Sequence, residues 1–595
     1  MQIVKPRLLK VTCREEIADM ALGSVRRSQL IAPFGVGAMM TTKTGISVIC
    51  CGLDHWFERD SGMNDDIDIT EFKVEEWRLK RELEVEEFRM PPDYRMKNRY
   101  QNVPNAEIVV PYLRFPRYHY CPYCGHLEEK TLSLRGRLLC PLCEEKGKKW
   151  NMIQVPFVAV CDNGHLQDFP FKEWVHKSVN PACTGKLTLK STGGSTLASQ
   201  VVKCQCGAER NLANITNAYK QEDTVHTELT DSLDESEQYF CKGIRPWLHD
   251  DQGEGCGEPL RGSLRNAANI YFPSVRSAVY LPKASSLVPE ELSTLLTDPV
   301  LHTLISQFVN AGVPIQSGLF RGVRPFQFSK FSDSQIDAAV ATCLANESPQ
   351  QDNTNPQLAY DDDETAFRRE EYNILSGGWN DNVLQVIPSE MRLYGPEVTQ
   401  FFSKIMLVEK LKETRVLTGF TRIYSENGQT FEDKMNLLWR NAPEPKWLPA
   451  YVVHGEGIFF QFDEEKLVEW ESCPNIKERV TPLIERYEKV ATERHYRQRP
   501  LSARFILLHT FAHLIINRLT FECGYSSASL RERLYISNHS DGPMASVLIY
   551  TAAGDSEGTM GGLVRMGKPG NLEAVVRRAV YPYAVTFDRL LETLT

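Results

Sequence analysis

The sequence predicts a multidomain α+β chain, with a cysteine-rich region inserted between mixed α/β segments and a compact α/β domain towards the C-terminal end. Three observations carry this reading. The chain has 595 residues, more than one hydrophobic core serves, so several domains are expected. Its composition, 42% hydrophobic and 24% charged, suits a globular protein able to bury those cores. Ten of its 16 cysteines fall between residues 121 and 256, while short apolar runs alternate with amphipathic stretches elsewhere.

Residues 1–110 read as an α/β segment. Gly35 and Gly37 punctuate an apolar stretch, and ISVICCGL reads as a buried strand. Cys50 and Cys51 are adjacent on it and point to opposite faces, so they suit the core better than a shared metal. Residues 71–88, EFKVEEWRLKRELEVEEF, read as one charged, exposed helix. Residues 111–270 form the cysteine-rich region, and its acidic stretch 220–238 reads as a surface loop. Residues 271–490 have mixed α/β character. Within them 346–371, NESPQQDNTNPQLAYDDDETAFRREE, is polar and acidic, as a flexible insertion would be. GIFFQFDEEKLVEW reads as strand, turn and helix. In residues 491–595, Leu508, Phe511, Leu514, Ile515 and Leu519 mark a buried helix that Gly524 ends. SASLRERLY then reads as a second short helix, ASVLIYTA as a strand and GDSEGTMGGLV as a glycine-rich loop.

The most specific signal is YCPYCGHLEEKTLSLRGRLLCPLC. Cys121, Cys124, Cys140 and Cys143 make C-x2-C-x15-C-x2-C, a zinc-ribbon spacing. Each C-x-x-C turn sets two thiolates on one side of a tetrahedral ion, and Gly125 suits the tight backbone of the first turn. Four cysteine ligands close the site, so its zinc is expected to be structural. A second group offers Cys161, His165, Cys183, Cys204, Cys206, Cys241 and Cys256. The preferred set for a second zinc is Cys183, Cys204 and Cys206 with Cys241 or Cys256. Cys161 with His165 completes it instead, or helps to form a third site. His509 and His513, one helical turn apart, could also hold a metal, but the segment is apolar and core histidines are the plainer reading. Thr510 stands where a metalloprotease needs glutamate.

The net charge is −9, which argues against a uniformly basic surface but not against a local basic site. Residues 89–149 hold 12 Lys or Arg against 6 acids, and residues 493–533 hold 7 Arg against 3 Glu. Arg114 and Arg117 are interleaved with aromatics before the first cysteine pair, Arg135 and Arg137 lie between the pairs, and Arg494, Arg497 and Arg499 recur in ERHYRQRP. Such arginines could meet the phosphates of DNA while aromatic rings meet bases. No Walker A sequence, G-x-S-x-G elbow, kinase signature or dinucleotide fingerprint is present, so no enzyme activity is expected. No run of about 18 apolar residues predicts a membrane span. The N-terminus lacks a secretory h-region, and a cytoplasmic location with reduced thiols is the expectation.

RRSQLIAPFGVGAMM with VICCGLDHW, CDNGHLQDFPFKEWVH with RNAANIYFPSVRSAVYLP, and HTFAHLIINRLTFECGYSSASLRERLY with VLIYTAAGDSEGTMGGLV follow in that order. Together they resemble the DrmB family of the DISARM anti-phage defence system, over residues of about 20 to 570. The last motif pair is similar to a C-terminal domain that DrmB shares with some bacterial helicase-like proteins. The resemblance implies a subunit without recognised catalytic motifs. It would assist a DrmA-like helicase and bind foreign DNA, including DNA with single-stranded ends. Relatives of the C-terminal domain often carry a late cysteine cluster. This chain has no cysteine after Cys523, so that domain is expected to lack a metal of its own. A metal-dependent hydrolase, or a scaffold that leaves all DNA contacts to its partner, are the alternatives.

Overall fold

The computed structural model describes most of residues 25–580. Outside the description lie 1–24, 341–362, 494–500, 552–560 and 581–595, with shorter stretches, most of them between 283 and 338. The described residues divide into two compact units. The first is drawn from Met1–Ala278, Glu413–Val453 and Leu483–Pro500, the second from Val279–Lys412, His454–Pro482 and Leu501–Thr595. Each unit is therefore assembled from discontinuous pieces. Among the described residues no helix is long and apolar enough to cross a membrane.

In the first unit, Met39–Thr41, Ser47–Cys50 and Tyr112–Arg114 form an antiparallel sheet. Ser47–Cys50 is buried at every position, as its apolar run predicts. Cys50 and Cys51 are core thiols, and burial pushes the Cys50 thiol up to about 12. The stretch 71–88 differs from the expected single helix. Only Trp77–Leu83 is α-helical, a 3-10 turn Ile69–Phe72 precedes it, and Lys73–Val74 pairs antiparallel with Glu87–Arg89. Val74 and Phe88, directly opposite each other in this pair, are both buried. The acidic stretch after residue 217 is also folded. Ala218–Gln221 and Thr224–Thr227 make a hairpin, and the Thr227 hydroxyl caps the helix Glu228–Asp231, which buries Leu229.

Six strands form the sheet that carries two cysteine groups, in the order Ile153–Gln154, Tyr118–Tyr120, His126–Glu129, Leu187–Ser191, Gln200–Cys204 and Glu209–Asn211. A three-stranded sheet, Leu166–Asp168, Phe157–Val160 and Arg261–Leu264, carries the third. Their shared core includes Phe157, Phe169, Phe171, Trp174 and Leu260. Arg422 ties distant segments of this unit together. Its guanidinium is fully buried and donates to the carbonyls of Gly164 at 2.9 Å, Ile270 at 2.6 Å and Gly37 at 2.9 Å. It packs over the rings of Trp247 and Phe420. Burial lowers its pKa to about 9, so it stays charged at neutral pH.

The second unit is built on an antiparallel sheet in which Gln385–Pro388 pairs with residues 406–410, residues 457–461 pair with Met544–Thr551, and that strand pairs with Leu530–Ser537. The expected strand, turn and helix at 457–470 is present, with Asp463 capping the helix Glu464–Ser472. Helix Ala503–Cys523 packs on the last two strands and on helix Leu572–Val580. Gly524 ends the longer helix in the left-handed region, as predicted.

Leu530–Ser537 is a strand where a short helix was expected. Alternation turns Arg533 and Tyr535 inward, where both bind Glu371, the Arg533 Nε at 2.6 Å from Oε2 and the Tyr535 hydroxyl at 3.1 Å. A charged residue buried by its partner breaks the polarity pattern from which a strand is read. That partner corrects a second expectation. Residues 363–371, the end of the supposed flexible insertion, begin the helix Asp363–Gly377, and Glu371 is fully buried. Residues 346–362 lie outside the described residues, as does most of GDSEGTMGG. Gly561 and Leu563, at its end, both donate backbone N–H groups to the Glu456 carboxylate.

Candidate metal centres

Cys121, Cys124, Cys140 and Cys143 converge as their spacing predicts. The first pair sits in the turn between the antiparallel strands Tyr118–Tyr120 and His126–Glu129. Gly125 holds φ +77°, and a Cβ there would lie 2.9 Å from the Leu189 carbonyl oxygen, so both backbone and space demand glycine. The second pair opens the short helix Pro141–Glu144, with Cys140 at its N-cap. A helical turn needs no glycine after Cys143, which accounts for Glu144 there.

The remaining candidates form two groups, not one. Cys161, His165, Cys241 and Cys256 make the second cluster. Cys161 and His165 flank the turn between Phe157–Val160 and Leu166–Asp168, and Cys241 and Cys256 are joined by the hydrogen bond from Cys256 N–H to the Cys241 carbonyl. The third cluster is His176, Cys183, Cys204 and Cys206. The expected pairing of Cys183, Cys204 and Cys206 with Cys241 or Cys256 is thus corrected. His176 supplies the fourth donor, because it ends the helix Phe171–His176 and left-handed Lys177 turns the chain back towards Cys183. Sequence reasoning missed His176. The available signal was a histidine seven residues before the first of three cysteines.

The geometry of all three clusters fits a tetrahedral ion. With sulfur about 2.3 Å and nitrogen about 2.0–2.1 Å from zinc, sulfurs lie about 3.8 Å apart and sulfur and nitrogen about 3.5 Å apart. Observed separations are 3.8 Å for Cys121–Cys143, 3.6 Å for Cys124–Cys140, 4.0 Å for Cys161–Cys256 and 3.6 Å for Cys183–Cys204. Cys161 lies 3.4 Å from His165 Nδ1 and Cys206 lies 3.4 Å from His176 Nε2. Disulfides would require about 2.05 Å, and all twelve donors lie within 4.8 Å of the others in their own cluster. Surrounding groups prepare the donors. His176 Nδ1 lies 2.7 Å from the Lys172 carbonyl, a bond that holds the proton there and leaves the Nε2 lone pair for the cluster. The Ala208 N–H, then Cys204 and His176, lower the Cys206 thiol to about 6. Backbone N–H groups of Gly185 and Gly243 reach the sulfurs of Cys183 and Cys241.

The arginines proposed from the sequence are placed differently from one another. Arg114 is buried, with Nη1 donating to the Gly136 carbonyl at 2.8 Å. Arg117 pairs with Asp168 at 2.8 Å and Glu129 at 3.2 Å. Both guanidinium groups are committed to the fold. Arg137 is exposed, whereas Arg135, Arg494, Arg497 and Arg499 lie outside the described residues. A different basic and aromatic group surrounds the first cluster. Tyr123 and Trp150, 55% and 44% exposed, stack with centroids 5.2 Å apart and planes 5° from parallel. Lys148 Nζ donates to the Tyr123 hydroxyl at 2.7 Å, and Lys146 and Lys149 beside it are exposed. His509 and His513 are not core residues. Their side chains are 45% and 56% exposed, and they meet Glu532 from the neighbouring strand.

Among the described residues, three compact four-donor clusters on antiparallel sheets define a cysteine-cluster protein of mixed α and β structure, whose candidate metal positions, being closed, suit a structural role. A family described as a domain of unknown function (DUF8724) matches residues 26–272, which hold all three clusters. Over 492 residues, 81% of each chain, the protein is 29% identical to a DISARM protein DrmB of Bacillus paralicheniformis. That similarity, carried along most of both chains, supports its membership of the DrmB family.

Proposed function

We propose that this protein is a non-catalytic, DNA-binding subunit of a DISARM anti-phage defence assembly, working beside a DrmA-like, ATP-dependent helicase. The similarity to a DISARM DrmB supports the defence role. Zinc in the three clusters fits their thiolate and imidazole donors, and closed sites of this kind brace a surface without offering a coordination position for chemistry.

The observation that carries the DNA-binding reading is the exposed Tyr123–Trp150 stack, with Lys148 against it, on the back of the first cluster. Parallel aromatic faces beside lysines are what an unpaired strand needs: the rings take bases, and the ammonium groups take phosphates. The two C-x-x-C turns hold this platform from either side, since Tyr123 lies within the first and Trp150 receives the Cys140 N–H on its carbonyl.

The test is fluorescence anisotropy of a single-stranded oligonucleotide with the purified protein, alone and with its helicase partner. Stacking contributes about 1–3 kcal/mol per base, so replacing Tyr123 and Trp150 by alanine should weaken binding roughly 10- to 100-fold. Affinity should fall as salt rises. No binding by the protein alone, with binding by the complex unchanged by both substitutions, would overturn the reading in favour of a scaffold.

A further inference from the structure

The second unit carries a candidate metal site of another kind. His509 and His513 lie one turn apart on helix Ala503–Cys523, and Glu532 projects from strand Leu530–Ser537 on the face opposite Arg533. His509 Nε2 and His513 Nε2 are 3.2 Å apart. Glu532 Oε1 lies 3.4 Å from the first and 3.8 Å from the second. The last two separations are too long for good hydrogen bonds. Moreover, two neutral imidazoles meeting Nε2 to Nε2 can share only one proton. A tetrahedral ion about 2.0–2.2 Å from each donor would set them about 3.3–3.5 Å apart. The other carboxylate oxygen, Glu532 Oε2, is buried and has no hydrogen-bond partner, so it is available as a second donor atom. Phe505 stacks on His509 with planes 11° apart and steadies its ring.

We propose that His509, His513 and Glu532 bind a zinc-class divalent cation in an open site. It differs from the three cysteine clusters in its lack of sulfur, its three protein ligands instead of four and its exposed histidines. Water or an anionic ligand oxygen would complete the coordination, and the ion would exchange with solvent where those of the closed clusters do not. Thr510 and the absence of a glutamate after His509 separate this arrangement from the metalloprotease motif. The site also restores a metal to a domain that has no cysteine after Cys523.

The experiment uses the full-length protein after brief dialysis against a weak chelator, with Co²⁺ as the probe. Wild type should take up one equivalent beyond the metal retained by its cysteines, with visible ligand-field bands and no thiolate-to-cobalt charge-transfer band. His513→Ala and, separately, the near-isosteric Glu532→Gln should weaken that equivalent by at least roughly 100-fold. Circular dichroism should show both variants folded. If His513→Ala unfolds, Glu532→Gln decides alone. No extra equivalent in wild type, an equivalent that survives both substitutions, or one that carries the thiolate band would each overturn the assignment.

Discussion

His176 supports the sharpest test of the metal centres, because the sequence reading passed over it and only the fold brings it to the cluster. In His176→Ala the third cluster keeps Cys183, Cys204 and Cys206 and loses its one nitrogen donor. A structural zinc site of four donors is worth about 10–16 kcal/mol of binding, or about 2.5–4 kcal/mol per donor. Losing one donor should weaken the site by roughly 10²–10³. A water can take the vacated position, since Cys206 is exposed, so the loss should fall towards the lower end. Elemental analysis after dialysis against a moderate chelator should find three metals per wild-type chain and two in the variant. A thiol reagent applied to the native variant should then label three more cysteines. His226→Ala is the control, since His226 lies in a surface hairpin bonded to Thr224 and Asp231. Retention of three metals by His176→Ala, with thiols still protected, would refute the assignment of His176 as a ligand.

Arg422→Met removes three hydrogen bonds from a buried cation and leaves the carbonyls of Gly37, Gly164 and Ile270 without it. The expected loss is about 3–5 kcal/mol by denaturant unfolding, with the second cluster releasing its metal first because Gly164 belongs to its turn. Gly125→Ala forces a side chain into φ +77° against the Leu189 carbonyl. It should cost about 1–2 kcal/mol and lower metal retention in the first cluster alone, read by cysteine protection. Glu371→Ala removes the buried carboxylate that pairs with Arg533, which is 4% exposed, and should destabilise the second unit by about 3–5 kcal/mol in a thermal or chemical melt. Burial, and then His55, lower the His249 pKa to about 4. The unfolded chain therefore takes up that proton first as pH falls below about 6.5, and stability should drop between pH 6.5 and 4. His249→Phe should flatten this part of a pH-dependent unfolding series.

Much of the site was legible because its ligands are local in sequence. Cys121 with Cys124, and Cys140 with Cys143, declare themselves as pairs, since two C-x-x-C turns at this spacing suit one tetrahedral ion. The same holds for ISVICCGL, where an unbroken apolar run can only be a buried element, and for Gly524, whose left-handed conformation ends a helix wherever it occurs. The errors share a different cause. SASLRERLY reads as a helix and Leu530–Ser537 is a strand, in which Arg533 is buried against Glu371, 162 residues away. The arginines before the first cluster looked available to phosphate, yet Asp168 and the Gly136 carbonyl occupy them. Charge in a sequence does not say which residue will neutralise it.

By itself, the sequence determined that cysteine pairs suited to a metal ion are present, where the first cluster closes, and that the chain resembles DrmB from near its start to near its end. Those properties rest on short spacings and ordered motifs, which need no knowledge of the fold. Only the tertiary structure decided how seven scattered donors divide into two clusters, that His176 completes one of them, and that His509, His513 and Glu532 meet. Ligand choice over long separations depends on which strand ends and helix ends the packed sheets bring within 4.8 Å of one another. That distance is settled by burial of the surrounding core, not by the residues that bind.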